Sequence, residues 1–494
     1  MTTEFGRLEA DTVTEAQRQH ALDRAINGLR EDDLLKSASI PVMGWQRPVL
    51  WGLLLVTVGL AIWQPMATAV ALIGLCTLGY VLTMVDRVMI FRQGLASRPI
   101  VVTDEEARAI PDADLPRYTI LVPAYNEPEV VGDLIGAMAR LEYAQDKLQV
   151  LLLLEADDDV TIAAAEACGE SDVITILLVP PADPRTKPKA CNYGLHFATG
   201  DIVTIYDAED LPEPLQLRRV VAAFGRLPDD VACVQAKLAY HNGHQNLLTG
   251  WFTAEYGLWF GYLLPGMMRT TSPIPLGGTS NHLLRRVLDK IGAWDPFNVT
   301  EDADLGLRIA ASGYHTAVVD SETLEEANSD PINWIRQRSR WYKGYLQTWL
   351  VHIRRPRQLY RTIGFRSFLR FNLVLAGTPI IAVLNLVFWL ITLTWFLGQP
   401  ALVGAVFPPY IYFPALVALI IGNGATLYMN MISLREDDRS DLLVAGLTVP
   451  LFWLMMSIAA AKGCYQLIRN PSYWEKTFHG LSQRPELEDE SAAA

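Results

Sequence analysis

Two clusters of carboxylates follow apolar, β-branched runs. Gln149 to Leu154 leads into Glu155-Ala-Asp157-Asp158-Asp159, and Asp201 to Tyr206 leads into Asp207-Ala-Glu209-Asp210. Acids at the carboxyl ends of neighbouring strands repel one another unless a cation lies between them, and hard oxygen donors suit Mg2+ or Mn2+. An ion held there and shared with substrate phosphates would neutralise a leaving diphosphate. A single acidic loop is as readily a solvated turn, but two in the same strand-end setting favour the ion. Lys187 and Lys189, in Lys187-Pro-Lys-Ala-Cys-Asn192, are placed either to meet phosphate or to stay solvated at the surface.

Thr300-Glu301-Asp302 stands before Leu305, Leu307 and Ile309, the pattern of a helix start with a threonine cap and acids in its first turn. Another helix is expected to start near Ser329-Asp330-Pro331, with proline at its first position, and to carry Gln337-Arg-Ser-Arg-Trp341. Gln337 and Trp341 are four apart with Arg340 adjacent, so an amide, a cation and an aromatic ring share one face. With Arg336, Arg338 and Lys343 nearby, this helix also reads as a basic one beside anionic lipid. Gly277-Gly-Thr-Ser-Asn-His282 is a small-residue loop that lets a ligand approach backbone, and His282 reads as a hydrogen-bonding residue rather than a metal ligand.

These groups need elements to hold them. Tyr118-Thr-Ile-Leu-Val-Pro123, followed by Ala124-Tyr125-Asn-Glu127 and an amphipathic stretch from Val130 to Leu141, predicts strand, turn and helix. Gln149 to Leu154, Val173 to Val179 and Asp201 to Tyr206 repeat the apolar run. Buried parallel strands with helices between them predict an α/β sheet that binds its ligand at the strands' carboxyl ends, where the polar residues fall.

The rest of the chain is a membrane frame. Of 494 residues 51% are hydrophobic and the mean hydropathy is +0.18, so part of the chain belongs in lipid. Lys and Arg number 41 against 54 Asp and Glu, a net charge of −13 without a basic run, which argues against nucleic acid as a partner. The five cysteines stand far apart without zinc-ligand spacing and read as free thiols in a reducing compartment. No charged residue lies between Pro48 and Val85, room for two crossings of about 17 to 20 residues broken at Gln64-Pro65. Uncharged stretches from Phe371 to Leu434 and from Leu442 to Ala461 make at least three more. Arg87, Arg92 and Arg98 on one side of the intervening segment, and Arg354 to Arg370 on the other, place it in the cytosol. Two crossings in the longer stretch plus one in the last leave the tail outside; three in the longer stretch return it to the cytosol.

The expected domains are a cytosolic segment over 1–47, a transmembrane hairpin over 48–91, a cytosolic catalytic domain with interfacial helices over 92–365, transmembrane helices over 366–463 and a tail over 464–494. The N-terminus lacks the features of a secretory signal. Thr14 to Lys36, with Ala21, Leu22, Ile26, Leu29 and Leu34 on a weak stripe, reads either as a solvated leader, the favoured alternative, or as a small regulatory helix. Leu247 to Met268, rich in Trp, Tyr and Phe, is expected at the membrane interface.

In order along the chain, Pro123-Ala-Tyr-Asn-Glu127, Asp157-Asp158, Lys187 to Asn192, Asp207-Ala-Glu-Asp210, Thr300-Glu-Asp302 and Gln337-Arg-Ser-Arg-Trp341 resemble the family 2 glycosyltransferases. With membrane blocks on both sides, the chain looks like their cellulose synthase, chitin synthase and hyaluronan synthase branch. The resemblance implies a GT-A, Rossmann-like α/β cytosolic catalytic domain inserted between transmembrane α-helical segments. It implies an inverting displacement on a nucleotide-diphosphate sugar, with Mg2+ or Mn2+ as cofactor. The family's metal-binding acids correspond to Asp207, Glu209 and Asp210, the glutamate being a departure from Asp-x-Asp. Ala124, Tyr125, Glu127, Asp157, Asp158, Lys187 and Lys189 fall at nucleotide-sugar-binding positions. Asp302, beside Glu301, falls where the family places the base that deprotonates the acceptor. Gly278, Thr279, Asn281, Gln337, Arg340 and Trp341 fall on the acceptor and diphosphate side, where an aromatic ring stacks on a pyranose and arginine neutralises phosphate. Trp474, Lys476 and Thr477, in Trp474-Glu-Lys-Thr477-Phe-His479, look like gating residues that touch the diphosphate, which requires a cytosolic tail.

The implied function is a processive synthase in the cell membrane that elongates a β-linked polysaccharide and threads it through its own helices. Its partners would be a UDP-sugar, with a GDP-sugar as the alternative, a growing glycan or lipid acceptor, membrane lipids, and an accessory export protein or a second copy of the chain. The alternatives are transfer of one sugar to a lipid carrier or glycolipid and, from another class, a non-catalytic transporter or scaffold. Against the last stands the lack of membrane charges that would mark a transport path.

Overall fold

The computed structural model describes residues 14–168, 173–398, 401–436 and 438–475. One mixed sheet of eight strands has the order β3-β2-β1-β4-β7-β6-β8-β5. The strands are β1 (Tyr118–Ala124), β2 (Leu148–Glu155), β3 (Ile174–Val179), β4 (Ile202–Ile205), β5 (Leu211–Pro212), β6 (Val231–Tyr240), β7 (Asn281–Leu284) and β8 (His315–Glu325). β1 to β4 pair in parallel, as their continuous apolar runs require, whereas β7 runs antiparallel to both β4 and β6. This is the α/β sheet that the strand pattern predicts and the GT-A, Rossmann-like fold that the family resemblance implies, and the runs ending in Glu127, Glu155 and Asp207 deliver their polar ends to one edge.

The helices that matter for the site are α1 (Glu15–Asp32), α2 (Gln46–Trp63), α3 (Pro65–Ala96), α4 (Lys187–Leu195), α5 (Leu247–Leu258), α6 (Glu301–Ala311), α7 (Pro331–His352), α8 (Thr378–Gly398), α9 (Pro409–Glu436) and α10 (Leu443–Arg469). Among the described residues, five helices are long and apolar enough to cross a membrane: α2, α3, Pro356–Gly398, α9 and Ser440–Arg469. Their outward faces carry large apolar side chains such as Trp51, Ile62 and Phe396 at 66%, 79% and 81% exposure, which only lipid can cover without penalty. The chain is a membrane protein on these grounds.

The last of the five differs from the rest. It begins where the Asp441 carboxylate meets His244 at 2.8 Å and Arg439 donates to the Tyr240 carbonyl, and it ends where Gly463 lies against the Ser339 carbonyl of α7. Between those points Phe452 packs on Trp251 and Trp334 at 5.5 and 4.8 Å, and the Trp251 indole donates to Thr448 at 2.9 Å. Both ends of α10 therefore touch the sheet domain's side of the molecule.

The stretch after α5 is a π-turn over Trp259–Leu263 and a short helix over Leu264–Arg269, packed on α3 rather than lying open. A Cβ at Gly94 or Gly266 would come within 2.0 and 2.1 Å of the Tyr262 and Ile90 carbonyls, so two glycines allow this approach. The N-terminal stripe is no solvated leader. Ala21, Leu22 and Ala25 of α1 join the main apolar core, and Asn192 of α4 donates to the Ala25 carbonyl at 3.0 Å. Beyond α1, Ser37 and the Ala38 amide bind the buried Asp295 carboxylate, while Arg354 donates to the carbonyls of Leu34, Leu35, Ser37 and Ile40. A weak stripe suffices because hydrogen bonds to backbone carbonyls supply the rest of the docking.

Candidate active site

The carboxyl ends of the central strands open into a cavity of about 1240 Å3. It runs from Pro123, Ala124, Tyr125 and Glu127 past Asp207, Glu209, Gly278 and Thr279 to Thr300, Glu301 and Asp302. It continues past Gln337, Arg340, Trp341 and Trp474 and then between α3, α8 and α9. The residues from Pro123 to Asp302 share one wall because they sit at strand ends or in the first turn of a helix that starts there, and α7 and the chain after α10 add Gln337, Arg340, Trp341 and Trp474.

Lys187 is the hub. Its ammonium donates to Asp207 and, at 2.8 Å, to the Gly278 carbonyl. A Cβ on Gly278 would lie 3.4 Å from Asp302 Oδ2 and 4.0 Å from Lys187 Nζ, so a side chain at this position would intrude on both charges. Burial works against the charged ammonium, but Asp207 and then Glu301 hold Lys187 above its ordinary range. Burial pushes the Glu301 carboxyl up to about 8, helped by the neighbouring Asp302, and burial likewise raises Asp302. Asp302 accepts from the Ala303 amide at 2.7 Å, which fixes one oxygen and leaves Oδ2 toward Gly278. α6 does start at Glu301, but the Thr300 hydroxyl is buried without a partner, so the expected threonine cap is not made.

α7 begins as expected, with Asp330 accepting from the Asn333 amide at 2.7 Å and Pro331 at its first position. Arg340 stacks its guanidinium 4.5 Å from the Trp474 ring, and Gln337 accepts from Asn328 at 3.1 Å. Arg338, between them in sequence, is held by the Glu255 carboxylate of α5 and by four rings, Trp341, Phe252, Trp334 and Phe452, at 4.4 to 6.0 Å. Trp341 also stacks on Tyr256 at 6.4 Å between centroids. Lys343 donates to the Tyr473 carbonyl at 2.6 Å, and burial lowers its ammonium to about 8. These contacts seat Trp474 on the same side as the sheet domain, whereas Lys476 and Thr477 lie outside the described residues.

Several expected site residues serve elsewhere. Lys189 is fully buried, ion-paired with Glu155 at 2.6 Å and clear of the cavity, so it meets a carboxylate and not phosphate. Asp158 caps the next helix through the Thr161 amide and binds the Asn126 amide at 2.5 Å, holding the Tyr125 turn in place. Asp157 pairs at 2.7 Å with Arg185, and Arg185, not Asp157, lines the cavity. Asn281 is a buried strand residue that donates to the Gly277 carbonyl. His282 bonds the Tyr118 hydroxyl at 2.6 Å, and burial lowers its imidazole to about 3, in line with a hydrogen-bonding role.

The acids fit a hard divalent cation in kind. Asp207 and Glu209 line the cavity; Asp210 is buried behind them, accepts from the Asp207 amide at 2.7 Å, and has one oxygen, Oδ1, without a partner. Among the described residues no three His, Cys, Asp or Glu side chains converge on one metal position, so a bound ion would need ligand oxygens to complete its shell. Sequence patterns missed Arg185, Glu255, Arg338 and Arg87 as lining residues; the first two carry no motif, and the last reads as a flanking charge.

Comparison with known proteins agrees with this geometry. The family model described as "Glycosyltransferase like family 2" matches residues 116–344. The chain is 28% identical over 235 residues to the probable glycosyltransferase YdaM of Bacillus subtilis, covering 47% of this chain and 56% of that protein. It is 29% identical over 248 residues to a beta-monoglucosyldiacylglycerol synthase of Trichormus variabilis, covering 48% and 50%. It is 27% identical over 252 residues to the UDP-forming cellulose synthase 1 catalytic subunit of Komagataeibacter xylinus, covering 49% and 32%. The chain thus spans about half the length of the first two relatives and about a third of the last. Over residues 116–344, just under half of the chain, the protein is thus similar to the family 2 glycosyltransferases.

Proposed function

We propose that the protein transfers a hexosyl group, with inversion, from a nucleotide-diphosphate sugar on the sheet side of the cavity to an acceptor hydroxyl arriving from the membrane side. The observation that carries this reading is continuity: one cavity joins the Asp207–Lys187–Asp302 cluster to the space between α3, α8 and α9. Asp302 takes the acceptor proton as the acceptor oxygen bonds the anomeric carbon and the bond to the diphosphate oxygen breaks. Its raised basicity, set by burial, suits that task. Lys187 and Arg340 approach the diphosphate as two cations, and Trp341 offers a ring face to the acceptor sugar. Asp207 and Glu209 would hold the divalent ion, which supplies charge neutralisation for the leaving diphosphate.

A growing β-linked glycan that leaves between the membrane helices is the acceptor we infer, with a UDP-sugar as the favoured donor and the sheet domain on the cytosolic side. Supporting it are Asn385, Thr392, Asn423 and Thr426 of α8 and α9, polar side chains that line that path, and the likeness to a cellulose synthase. A second reading, transfer of one sugar to a glycolipid, draws on the apolar stretch of the same wall, Phe388, Trp389, Phe413 and Leu416, and on the likeness to a glucosyldiacylglycerol synthase. Product size tests the two. Incubation of the reconstituted protein with Mn2+ and UDP- or GDP-sugars should yield nucleotide and a long glycan; a product carrying one or two sugars on a lipid would replace polymerisation with the second reading.

A further inference from the structure

The cations lining the cavity divide into two kinds. Arg185 pairs with Asp157, Lys187 with Asp207 and Arg338 with Glu255, and Arg340 lies over Trp474 beside Glu301 and Asp302. Arg87 of α3 makes no hydrogen bond or ion pair among the described residues, and its Nε is buried without a partner. Its neighbour in sequence, Asp86, is taken by Arg370 at 3.0 Å, and Glu255, the carboxylate that faces Arg87, is taken by Arg338. An ionised side chain in a membrane helix is costly unless a counter-charge meets it.

The position narrows what that counter-charge is. Ile90, one turn nearer the sheet domain, is buried against Gly266, so Arg87 lies where the domain meets the spans. Lipid phosphates lie at that depth. On the same face of α3, Thr83 and Tyr80 line the cavity one and two turns farther into the membrane, and each has a buried hydroxyl without a partner. A phosphate at Arg87 followed, about 6 to 10 Å deeper, by polar atoms and then by an apolar wall matches a glycerophospholipid: phosphate, ester oxygens, acyl chains. Leu373, Val374, Ile381 and Phe388 supply that wall.

We propose that Arg87, Thr83 and Tyr80 form a binding site for a glycerophospholipid, with its phosphate on Arg87 and its acyl chain in the cavity between α3 and α8. The site is separate from the donor cluster and holds whether the acceptor is a glycan or a lipid.

The test is native mass spectrometry of the full chain in a phosphate-free maltoside detergent, titrated with phosphatidylglycerol, with a diacylglycerol of the same chains, and with undecaprenyl phosphate. The wild type should retain one phosphatidylglycerol about tenfold more tightly than diacylglycerol, the effect of one ionic contact. Arg87→Gln should lose that preference while keeping wild-type affinity for the nucleotide sugar, and Arg87→Lys should keep most of it. Equal retention of diacylglycerol and phosphatidylglycerol by the wild type would overturn the proposal without recourse to any variant. So would an unchanged preference in Arg87→Gln, and retention of undecaprenyl phosphate as tight as phosphatidylglycerol would overturn the glycerolipid assignment. Because no donor is present, the outcome stands apart from the transfer reaction.

Discussion

The sheet half and the membrane half of the cavity are built on opposite rules. On the sheet side Lys187 and Arg185, which line the cavity, pair with Asp207 and Asp157, and Lys189 behind it pairs with Glu155. On the membrane side Thr77, Tyr80, Thr83 and Arg87 all carry buried polar atoms with no protein partner. The first half holds its charges ready by itself, which suits groups that must meet a developing charge without rearranging. The second half leaves polar atoms for something that enters, which suits a guide for substrate, product or lipid.

Breaking the sheet side should have the larger effects. Asp302→Asn should lower kcat by roughly 10²- to 10⁴-fold and leave the donor KM within about threefold, the signature of a lost general base; steady-state kinetics with varied donor would show a KM defect instead if the residue served binding. Lys189→Met should act on stability rather than on chemistry. It strands the buried Glu155 carboxylate at the end of β2, which costs about 3 to 5 kcal/mol, and a thermal melt should fall accordingly. Lys187→Met, two residues earlier, should do the reverse, raising the donor KM about tenfold or more with a smaller change in Tm.

That contrast also shows what the sequence could convey. The strand ends at Tyr118–Ala124, Leu148–Glu155 and Ile202–Ile205 are legible because a continuous apolar run that stops at acids fits a buried parallel strand and little else. Lys187 and Lys189 belong to one motif, yet residues two apart on a helix point about 200° from each other, so only one can face the ligand. The sequence does not say which. Nor does it show that α10, as apolar as the other candidate spans, packs Phe452 on Trp251 and Trp334 and makes polar contacts at its start. The α1 strap was hidden for a similar reason, since its partners Asn192, Asp295 and Arg354 are 160 to 320 residues away.

The junction between the two halves offers a smaller test. Burial raises the Asp302 carboxyl above the ordinary range near 4, and the base must be ionised to act, so kcat should start to fall at a higher pH than a free carboxylate would dictate. Glu301, at about 8, is mostly neutral at pH 7 and gains charge beside the diphosphate as pH rises through 8. Glu301→Gln should therefore flatten a decline in rate on the alkaline side and leave the acid limb in place. A pH profile of kcat in which both limbs survive the substitution would remove Glu301 from the account. Smallest of all, Tyr80→Phe should leave donor KM and Tm unchanged, since its hydroxyl supports nothing in the protein itself.

The central claim is a single inverting displacement at the Asp302 cluster. Its most direct test is the anomeric configuration of the first product bond, read by proton NMR coupling after reaction of the purified protein with an α-linked nucleotide sugar and Mn2+. A β-linked product, lost in Asp302→Asn, is the predicted result; an α-linked product would mean that configuration is retained and would contradict the account.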